Sequence, residues 1–419
     1  MGMTISEKIL ARASGKERVE AGEIIEANVD LAMSHDNAAL VSKIFKEIGV
    51  DKVWDSDKIV IILDHRAPAN IIKAAEAHKS IREFIRGQGI KNFYDVGEGI
   101  CHQVVPEKGY VKPGMLIVGT DSHTTTYGAF GAFSTGIGAT EMACVWATGE
   151  LWLKVPETIK MVINGKLQEM VTAKDVILHI IGEIGSDGAN YKAIEFYGET
   201  VKNFSVSSRI TISNQAMEAG AKAAIVPPDE KTINYLRDRV RGEIEPVYSD
   251  GDANYESEME FDVSDLEPQV ACPHTVDNVK PVSEVEGIEI DQAVLGSCTN
   301  GRLEDLEIAA KILKGKRIAP GVRMIVIPAS REIYLEALKR GYIEIFLRAG
   351  ATIINPGCGP CLGAHQGVLA SGERAISSTN RNFRGRMGSP DSEVYLASPA
   401  TVAASAIEGK IVDPRRVVG

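Results

Sequence analysis

The sequence has no run of apolar residues long enough to cross a membrane. A membrane-spanning helix needs about 20 such residues, whereas the most apolar stretch, Ile59–Leu63, has only the length of a strand. The N-terminus is charged at Glu7 and Lys8 and therefore lacks the apolar core of a secretory signal. We therefore expect a cytoplasmic protein with no membrane partner.

Basic residues are also scarce relative to acidic ones, 46 against 57, which gives a formal net charge of −11. A general nucleic-acid binder usually presents a basic face, so we expect no nucleic-acid partner. A few local arginines, and not the electrostatic field of the protein as a whole, must then hold any anionic substrate. A Walker A motif is missing, and Glu141 replaces the third glycine of a dinucleotide fingerprint that starts at Gly136, so nucleotide binding is unsupported.

Cysteine is rare, with six in 419 residues, so the chain is not a disulfide scaffold. Three cysteines fall in two tight motifs, Cys358-Gly-Pro-Cys361 and, 60 residues earlier, Cys298 in Gly-Ser-Cys-Thr-Asn-Gly-Arg. Three thiolates are one fewer than a closed zinc or iron–sulfur site uses, so a metal bound by them keeps a position open for water or substrate. The alternatives are a structural cysteine pair with Cys298 incidental, or a zinc-binding scaffold.

The other three cysteines are weaker candidates for ligands. Cys144 lies in an alanine-rich helical stretch and is predicted to be a small buried hydrophobic residue. Cys101 precedes His102 and is expected to flank the site, while Cys272 lies near a predicted domain boundary.

Short β-branched runs alternate with amphipathic stretches, which predicts an α/β protein. The predicted strands are Ile59–Leu63, Met115–Val118, Ala293–Leu295, Arg323–Ile327, Thr352–Ile354 and Ala375–Ser378. The predicted helices are Asn70–Arg86, Leu303–Leu313 and Arg331–Arg340. Composition changes near residues 154–156 and across residues 242–281 predict three domains, 1–156, 157–283 and 284–419.

Polar side chains follow several of these strands directly. They are Asp64 and His65, Asp121 and His123, Cys298, the Cys358–Cys361 pair, and Asn380 with Arg381. Ligands of open α/β sheets lie beyond the carboxyl ends of the strands, so this recurrence predicts one active site. A carboxylate beside a histidine fixes its tautomer and stabilises its charged form, as acid–base catalysis requires. The alternative for each histidine is a hydrogen-bonded structural role.

Arginines are concentrated in Asn380-Arg-Asn-Phe-Arg-Gly-Arg386, which has three in six positions. Because a guanidinium binds carboxylate through two hydrogen bonds, this loop predicts an anion clamp. Its alternative is a solvated basic loop. By contrast, residues 242–267 hold ten acidic residues and no basic one. We interpret that segment as a solvated, loop-rich rim, and the alternative is a docking surface for a basic partner.

Four segments together resemble the signature motifs of the aconitase superfamily. They are Gly119–Thr124, Gly296–Arg302, Pro356–Gly363 and Asn380–Arg386, within a likeness that runs from Ser34 to Pro399. Most of the chain is covered, and this order of motifs is highly specific.

The resemblance implies three α/β/α domains around one [4Fe-4S] cluster per subunit, at the domain interface. Its ligands would be Cys298, Cys358 and Cys361, leaving one iron without a protein ligand. The implied acid–base pairs are Asp64 with His65, Asp121 with His102, and Glu218 with His123. Asn214, Asn380, Arg381 and Arg386 would bind the substrate or lie beside the cluster.

The activity implied by the resemblance is a hydro-lyase reaction on a small di- or tricarboxylate. Within the family, the motifs resemble those of large subunits that isomerise 2- and 3-isopropylmalate in leucine biosynthesis, with citramalate and methylmalate as further substrates. Homocitrate and homoaconitate are the alternative substrates. The chain ends before the swivelling fourth domain of full-length aconitases, which predicts a small-subunit partner carrying that domain. A cluster-loss RNA-binding regulator is a further alternative, which the net charge argues against.

Overall fold

The computed structural model describes residues 2–417. The first part of the chain is built around a parallel sheet whose strand ends carry several of the candidate site residues. The elements are α1 (Ile5–Ala13), β1 (Ile24–Asn28), β2 (Leu31–Ser34), α2 (Ala38–Ile48), β3 (Ile59–Ile62), α3 (Ile72–Gln88), β4 (Phe93–Tyr94), α4 (Cys101–Glu107), β5 (Leu116–Gly119), β6 (Phe133–Gly136), α5 (Ala139–Thr148) and β7 (Glu150–Lys154). The sheet order is β4-β3-β2-β5-β6, and β1 pairs separately with β7. Strands β2, β3 and β5 are buried along their whole length, as helix-covered parallel strands are.

The second part of the chain forms a four-stranded parallel sheet. Its elements are β8 (Thr158–Asn164), α6 (Ala173–Ile184), β9 (Ala193–Tyr197), α7 (Glu199–Asn203), α8 (Val206–Gln215), β10 (Ala223–Ile225), α9 (Glu230–Arg237) and β11 (Ser257–Asp262). The order is β10-β9-β8-β11, and all neighbours run parallel. Helices α6 and α8 pack their apolar faces into the core beside this sheet.

The last part forms a seven-stranded sheet. Its elements are β12 (Gln269–Ala271), β13 (Val279–Pro281), α10 (Val282–Val285), β14 (Gln292–Gly296), α11 (Ser297–Asn300), α12 (Leu303–Leu313), β15 (Arg323–Ile327), α13 (Arg331–Lys339), α14 (Tyr342–Ala349), β16 (Thr352–Ile353), β17 (Arg374–Ser377), β18 (Glu393–Ala397) and α15 (Pro399–Glu408). The order is β13-β12-β18-β17-β14-β15-β16. Strand β12 runs antiparallel to both of its neighbours, and the other pairs are parallel.

The predicted α/β class is confirmed, and the predicted strands and helices fall within two residues of the observed elements. The domain limits at 156/157 and 283/284 stay predictions. Strands β12 and β13 precede the second limit, yet they pair within the seven-stranded sheet. Among the described residues, no helix combines the length and the apolar character that crossing a membrane requires.

One sequence interpretation, the burial of Cys144, is wrong. Cys144 is exposed, because α5 buries Met142, Ala143, Val145 and Trp146 on its other faces. The acidic segment 242–267 is not only a loop, since it contains the edge strand β11. Alternate side chains of β11 point outward, and Glu258 pairs with Lys160 of the neighbouring strand. The chain's own lysines therefore neutralise part of this acidic surface.

Candidate active site

The polar side chains predicted to meet do so where the first and third sheets face each other. Asp64 and His65 follow β3, and Cys298 and Asn380 lie beyond β14 and β17. A backbone hydrogen bond joins the two sides directly, because the Cys358 N–H donates to the Asp64 carbonyl at 3.0 Å. The carboxyl ends of parallel strands thus build the site from both sheets.

Asp64 orients two parts of the site at once. One of its oxygens lies 2.7 Å from His65 Nδ1, and the other accepts the Cys101 N–H at 2.7 Å, at the start of α4. His35 stacks on the His65 ring with a centroid distance of 4.0 Å. The sequence analysis missed His35, although it follows the end of β2 directly and thus lies at a strand end like the other polar residues of the site.

Asp121 is the second hub of the site. Its Oδ1 lies 2.8 Å from His102 Nε2 and accepts the His123 N–H at 2.7 Å, while its Oδ2 lies 3.4 Å from His65 Nε2. The 3-10 helix Ser122–Phe130 begins here, with the Asp121 side chain as its cap. One carboxylate therefore fixes the orientation of two imidazole rings and the backbone of a third histidine.

Glu218 completes the third histidine–carboxylate pair and joins it to the loop Asn380–Arg386, called the arginine loop below. Its Oε1 lies 2.7 Å from His123 Nε2, and Arg381 Nε donates to both of its oxygens at 2.8 and 3.0 Å. All three implied pairs are thus hydrogen-bonded. The Arg381–Glu218 ion pair was not foreseen, because the two residues lie 163 positions apart.

These contacts set the charge states of the buried groups. Burial opposes charging of His65, but Asp64 and Asp121 outweigh it and raise the pKa of His65 well above its ordinary value. In the same way Asp121 and Glu218 overcome burial and raise the pKa of His123. Burial alone would raise the pKa of Asp121, but the histidines around it hold that pKa well below the usual range. The site therefore keeps protonated imidazoles beside ionised carboxylates.

Cys298, Cys358 and Cys361 lie in one buried cluster, with exposed fractions of 5%, 5% and 1%. Two glycines shape their loops. Gly296, before Cys298, has φ +127°, and Gly359, between the other two cysteines, has φ +62°, a region that side chains rarely adopt. A Cβ on Gly296 would lie 2.0 Å from the Ile327 carbonyl oxygen, so glycine is required for this approach.

Polar groups surround the three sulfurs. Asn214 Nδ2 lies 3.5 Å and Asn380 Nδ2 lies 3.3 Å from Cys298 Sγ, and Arg386 Nη2 lies 3.7 Å from Cys361 Sγ. The hydrogen bond from the Cys358 thiol, together with Arg386, holds the pKa of Cys361 well below its usual range. Such donors stabilise negative charge on sulfur, as thiolate metal ligands require. The three cysteines could therefore hold a metal group.

The sequence analysis missed two further buried residues behind this site, Lys174 and Gln215. Lys174 Nζ donates to the Thr379 carbonyl at 2.7 Å and to Gln215 Oε1 at 2.8 Å. A detectable pattern existed, since Lys174 shares a helical face with Ile177, Leu178 and Ile181, all of them buried. A lysine on an apolar helix face is unusual unless it has a specific partner.

The chain is similar to known proteins over nearly its whole length. A family model described as the aconitase family (aconitate hydratase) matches residues 7–286 and 279–409. A probable 3-isopropylmalate dehydratase large subunit of Methanothermobacter thermautotrophicus is 61% identical over 415 residues, which are 99% of both chains. A probable methanogen homoaconitase large subunit of the same organism is 58% identical and covers 100% of this chain and 99% of its own. The 3-isopropylmalate dehydratase large subunit of Aquifex aeolicus is 55% identical, with 100% and 98% covered.

Proposed function

Because the chain belongs to the aconitase family, we propose that it is the large subunit of a hydro-lyase that isomerises 2-isopropylmalate and 3-isopropylmalate. The reaction is dehydration to an alkene followed by rehydration at the neighbouring carbon. The observation that carries the proposal is the juxtaposition of three histidine–carboxylate pairs with three buried cysteines. The names of the relatives at 61% and 55% identity supply the substrate.

The proposed cofactor is the [4Fe-4S] cluster that members of the aconitase family carry. Cys298, Cys358 and Cys361 would hold it, and one iron would have no ligand from the protein. When bound, the cluster supplies a Lewis acid that polarises the hydroxyl and a carboxylate of the substrate. The polar donors on the sulfurs support this assignment, because amide and guanidinium groups compensate the negative charge of thiolates.

Arg386 and Arg381 are the proposed anchors for the substrate carboxylates. Arg386 lies beside Cys361, and its Nε has no hydrogen-bond partner among the residues described, which leaves a donor for an anionic ligand. Arg381 approaches from the same loop while Glu218 fixes its Nε. Asn214 and Asn380 would orient the ligand at Cys298.

The histidines are the proposed carriers of protons. Asp64 and Asp121 keep His65 protonated, so His65 is suited to give a proton to the departing hydroxyl group. Asp121 orients His102, and Glu218 orients His123. Both histidines are thus suited to exchange protons with water in the rehydration step. We assign the base that removes the proton next to the carboxylate to a small-subunit partner carrying the swivelling domain. The words "large subunit" in the relatives' names support the existence of such a partner.

Homoaconitase activity is the second candidate function. It is favoured by the relative named probable methanogen homoaconitase large subunit, which is 58% identical over essentially the whole chain. Coexpression of the chain with a small subunit, followed by parallel assays of isopropylmalate, homocitrate and citrate, distinguishes the two candidates. We expect turnover of isopropylmalate to exceed that of the other acids. Faster turnover of homocitrate would favour the second candidate, and no turnover of any acid by a cluster-loaded complex would refute both.

The cofactor assignment has its own test. Anaerobically purified protein should contain iron and acid-labile sulfide, whereas stoichiometric zinc would indicate a zinc-binding scaffold instead. The metal-free chain should show no salt-dependent binding of RNA. Such binding would favour a regulatory function after cluster loss.

A further inference from the structure

Lys174 is fully buried, with 0% of its surface exposed. A lysine is almost never buried to this degree unless a partner compensates its charge. In the part of the chain that the structure describes, Lys174 forms no ion pair, and its two hydrogen bonds go to neutral oxygens. Its neighbour Asp175 is engaged elsewhere, since it caps α6 through Thr172 and accepts the Gln269 N–H.

Through these two hydrogen bonds, Lys174 and Gln215 together hold the backbone at the start of the arginine loop, an arrangement called the clamp below. Lys174 Nζ donates to the Thr379 carbonyl at 2.7 Å and to Gln215 Oε1 at 2.8 Å. Gln215 Nε2 then donates to the Asn380 carbonyl at 2.9 Å. Two consecutive carbonyls of the segment after β17 are thus held from α6 and α8. Helices α6 and α8 follow strands of the four-stranded sheet, and α6 also contacts β12 and β13 of the seven-stranded sheet, to which the clamped segment belongs.

The residues held in this way carry side chains that reach the cysteines and the acid–base groups. Asn380 contacts two sulfurs, because its Nδ2 lies 3.3 Å from Cys298 Sγ and its Oδ1 lies 3.3 Å from Cys361 Sγ. The next residue, Arg381, is paired with Glu218. A shift of the clamped backbone would therefore move an amide and a guanidinium away from the site together.

We propose that Lys174 is a positioning residue that, with Gln215, fixes the Asn380–Arg381 segment against the cysteine cluster. This role rests on the proposed function in one respect: that function identifies the positioned groups as a substrate-binding arginine and an amide beside the metal group. In its protonated form the buried amine also adds positive charge near the sulfurs of Cys298 and Cys361, which a neutral donor would not supply. Burial lowers the pKa of Lys174 to about 7, and Glu218, Cys298 and Cys361 act in the opposite direction.

The test compares Lys174→Met with Lys222→Met in the cluster-loaded complex. Lys222 is the matched control, since it is a partly buried lysine near β10 that lies over the Tyr191 ring and contacts no part of the arginine loop. We expect Lys174→Met to change the electron paramagnetic resonance spectrum of the reduced cluster and to raise KM about tenfold, the loss of about one buried hydrogen bond. Lys222→Met should match the parent chain in both readouts.

A second measurement uses the metal-free chain and does not depend on the reaction. Alkylation of Cys298 is followed by mass spectrometry, and it should be about tenfold faster in Lys174→Met, because the displaced Asn380 no longer covers the sulfur. Gln215→Met should have a similar effect, and the double variant should add little, since both arms hold one segment. If the parent chain turns over no hydroxy acid, the proposed function fails while this measurement still tests the clamp.

The proposal is overturned if Lys174→Met equals Lys222→Met in spectrum, KM and alkylation rate, or if the effects of Lys174→Met and Gln215→Met add fully. Should Lys174→Met fail to fold by circular dichroism, Lys174→Gln replaces it. This variant keeps a hydrogen-bond donor without the charge. It should recover part of the alkylation protection but not the parent spectrum, and a fully parental Lys174→Gln would refute a role for the charge.

Discussion

Replacing Asp121 by asparagine should change how the stability of the metal-free chain depends on pH. The Asp121 carboxylate faces His102, His123 and His65. Asparagine keeps the shape and can still accept the His123 N–H, but it removes the charge that favours protonated imidazoles. Asp121→Asn therefore isolates the electrostatic part of this hub.

The magnitude follows from burial and from the histidine pKa values. Removing one member of a buried charged group costs about 3–5 kcal/mol, and we expect the lower value because the Asp121 side chain is 16% exposed. The pKa values of His65 and His123 are raised in the folded chain. Their contribution to stability is complete below the unfolded pKa of about 6.5 and is lost as pH rises through the folded values. Each unit by which Asp121 raises one of them contributes about 1.4 kcal/mol.

The assay is urea unfolding of the metal-free chain, followed by tryptophan fluorescence between pH 6 and pH 9. Asp121→Asn should be less stable than the parent chain at pH 6, and the difference between the two should narrow as pH rises; Lys174, whose folded pKa is about 7, titrates in both chains and cancels in this comparison. The control is Asp250→Asn, which removes a surface aspartate paired with Lys8 and should leave the pH dependence of the parent unchanged. Parallel curves for the parent and Asp121→Asn would refute the assignment of the raised histidine pKa values to this carboxylate.

Three further changes test the cysteines, the third acid–base pair and the cysteine loop. Cys298→Ser should lower bound iron and sulfide well below the parent value, whereas Cys144→Ser, at an exposed position, should not; equal metal content in both would contradict the ligand assignment. Glu218→Gln should lower kcat of the loaded complex by about 10²–10⁴-fold, because it removes the carboxylate that orients a histidine; an unchanged kcat would exclude that role. Gly359→Ala places a side chain at φ +62° with its Cβ 2.6 Å from an isoleucine methyl, which should cost about 1–2 kcal/mol or more, measured by urea unfolding. Gly341→Ala, at φ +79° with open space around it, is the control, and an equal loss in both would show that packing at the cysteine loop does not matter.

Local patterns in the sequence were sufficient to predict the α/β class, because the period of apolar residues distinguishes strands from helices. They also identified the strand ends, and the polar residues there meet as expected. Cys144 shows the limit of this reasoning. Its composition favoured burial, but the face of a helix that is buried depends on what packs against it, and α5 turns Cys144 outward.

The sequence by itself determined which residue types could form the site, because the cysteine motifs, the histidine–carboxylate neighbours and the arginine loop are short patterns. The tertiary structure decided how they are connected. Glu218 pairs with Arg381 across 163 positions, and Lys174 reaches Thr379 across 205. No local period encodes contacts at such separation, since they arise only when three sheets pack together. The buried lysine that clamps the arginine loop therefore became visible only in the folded chain.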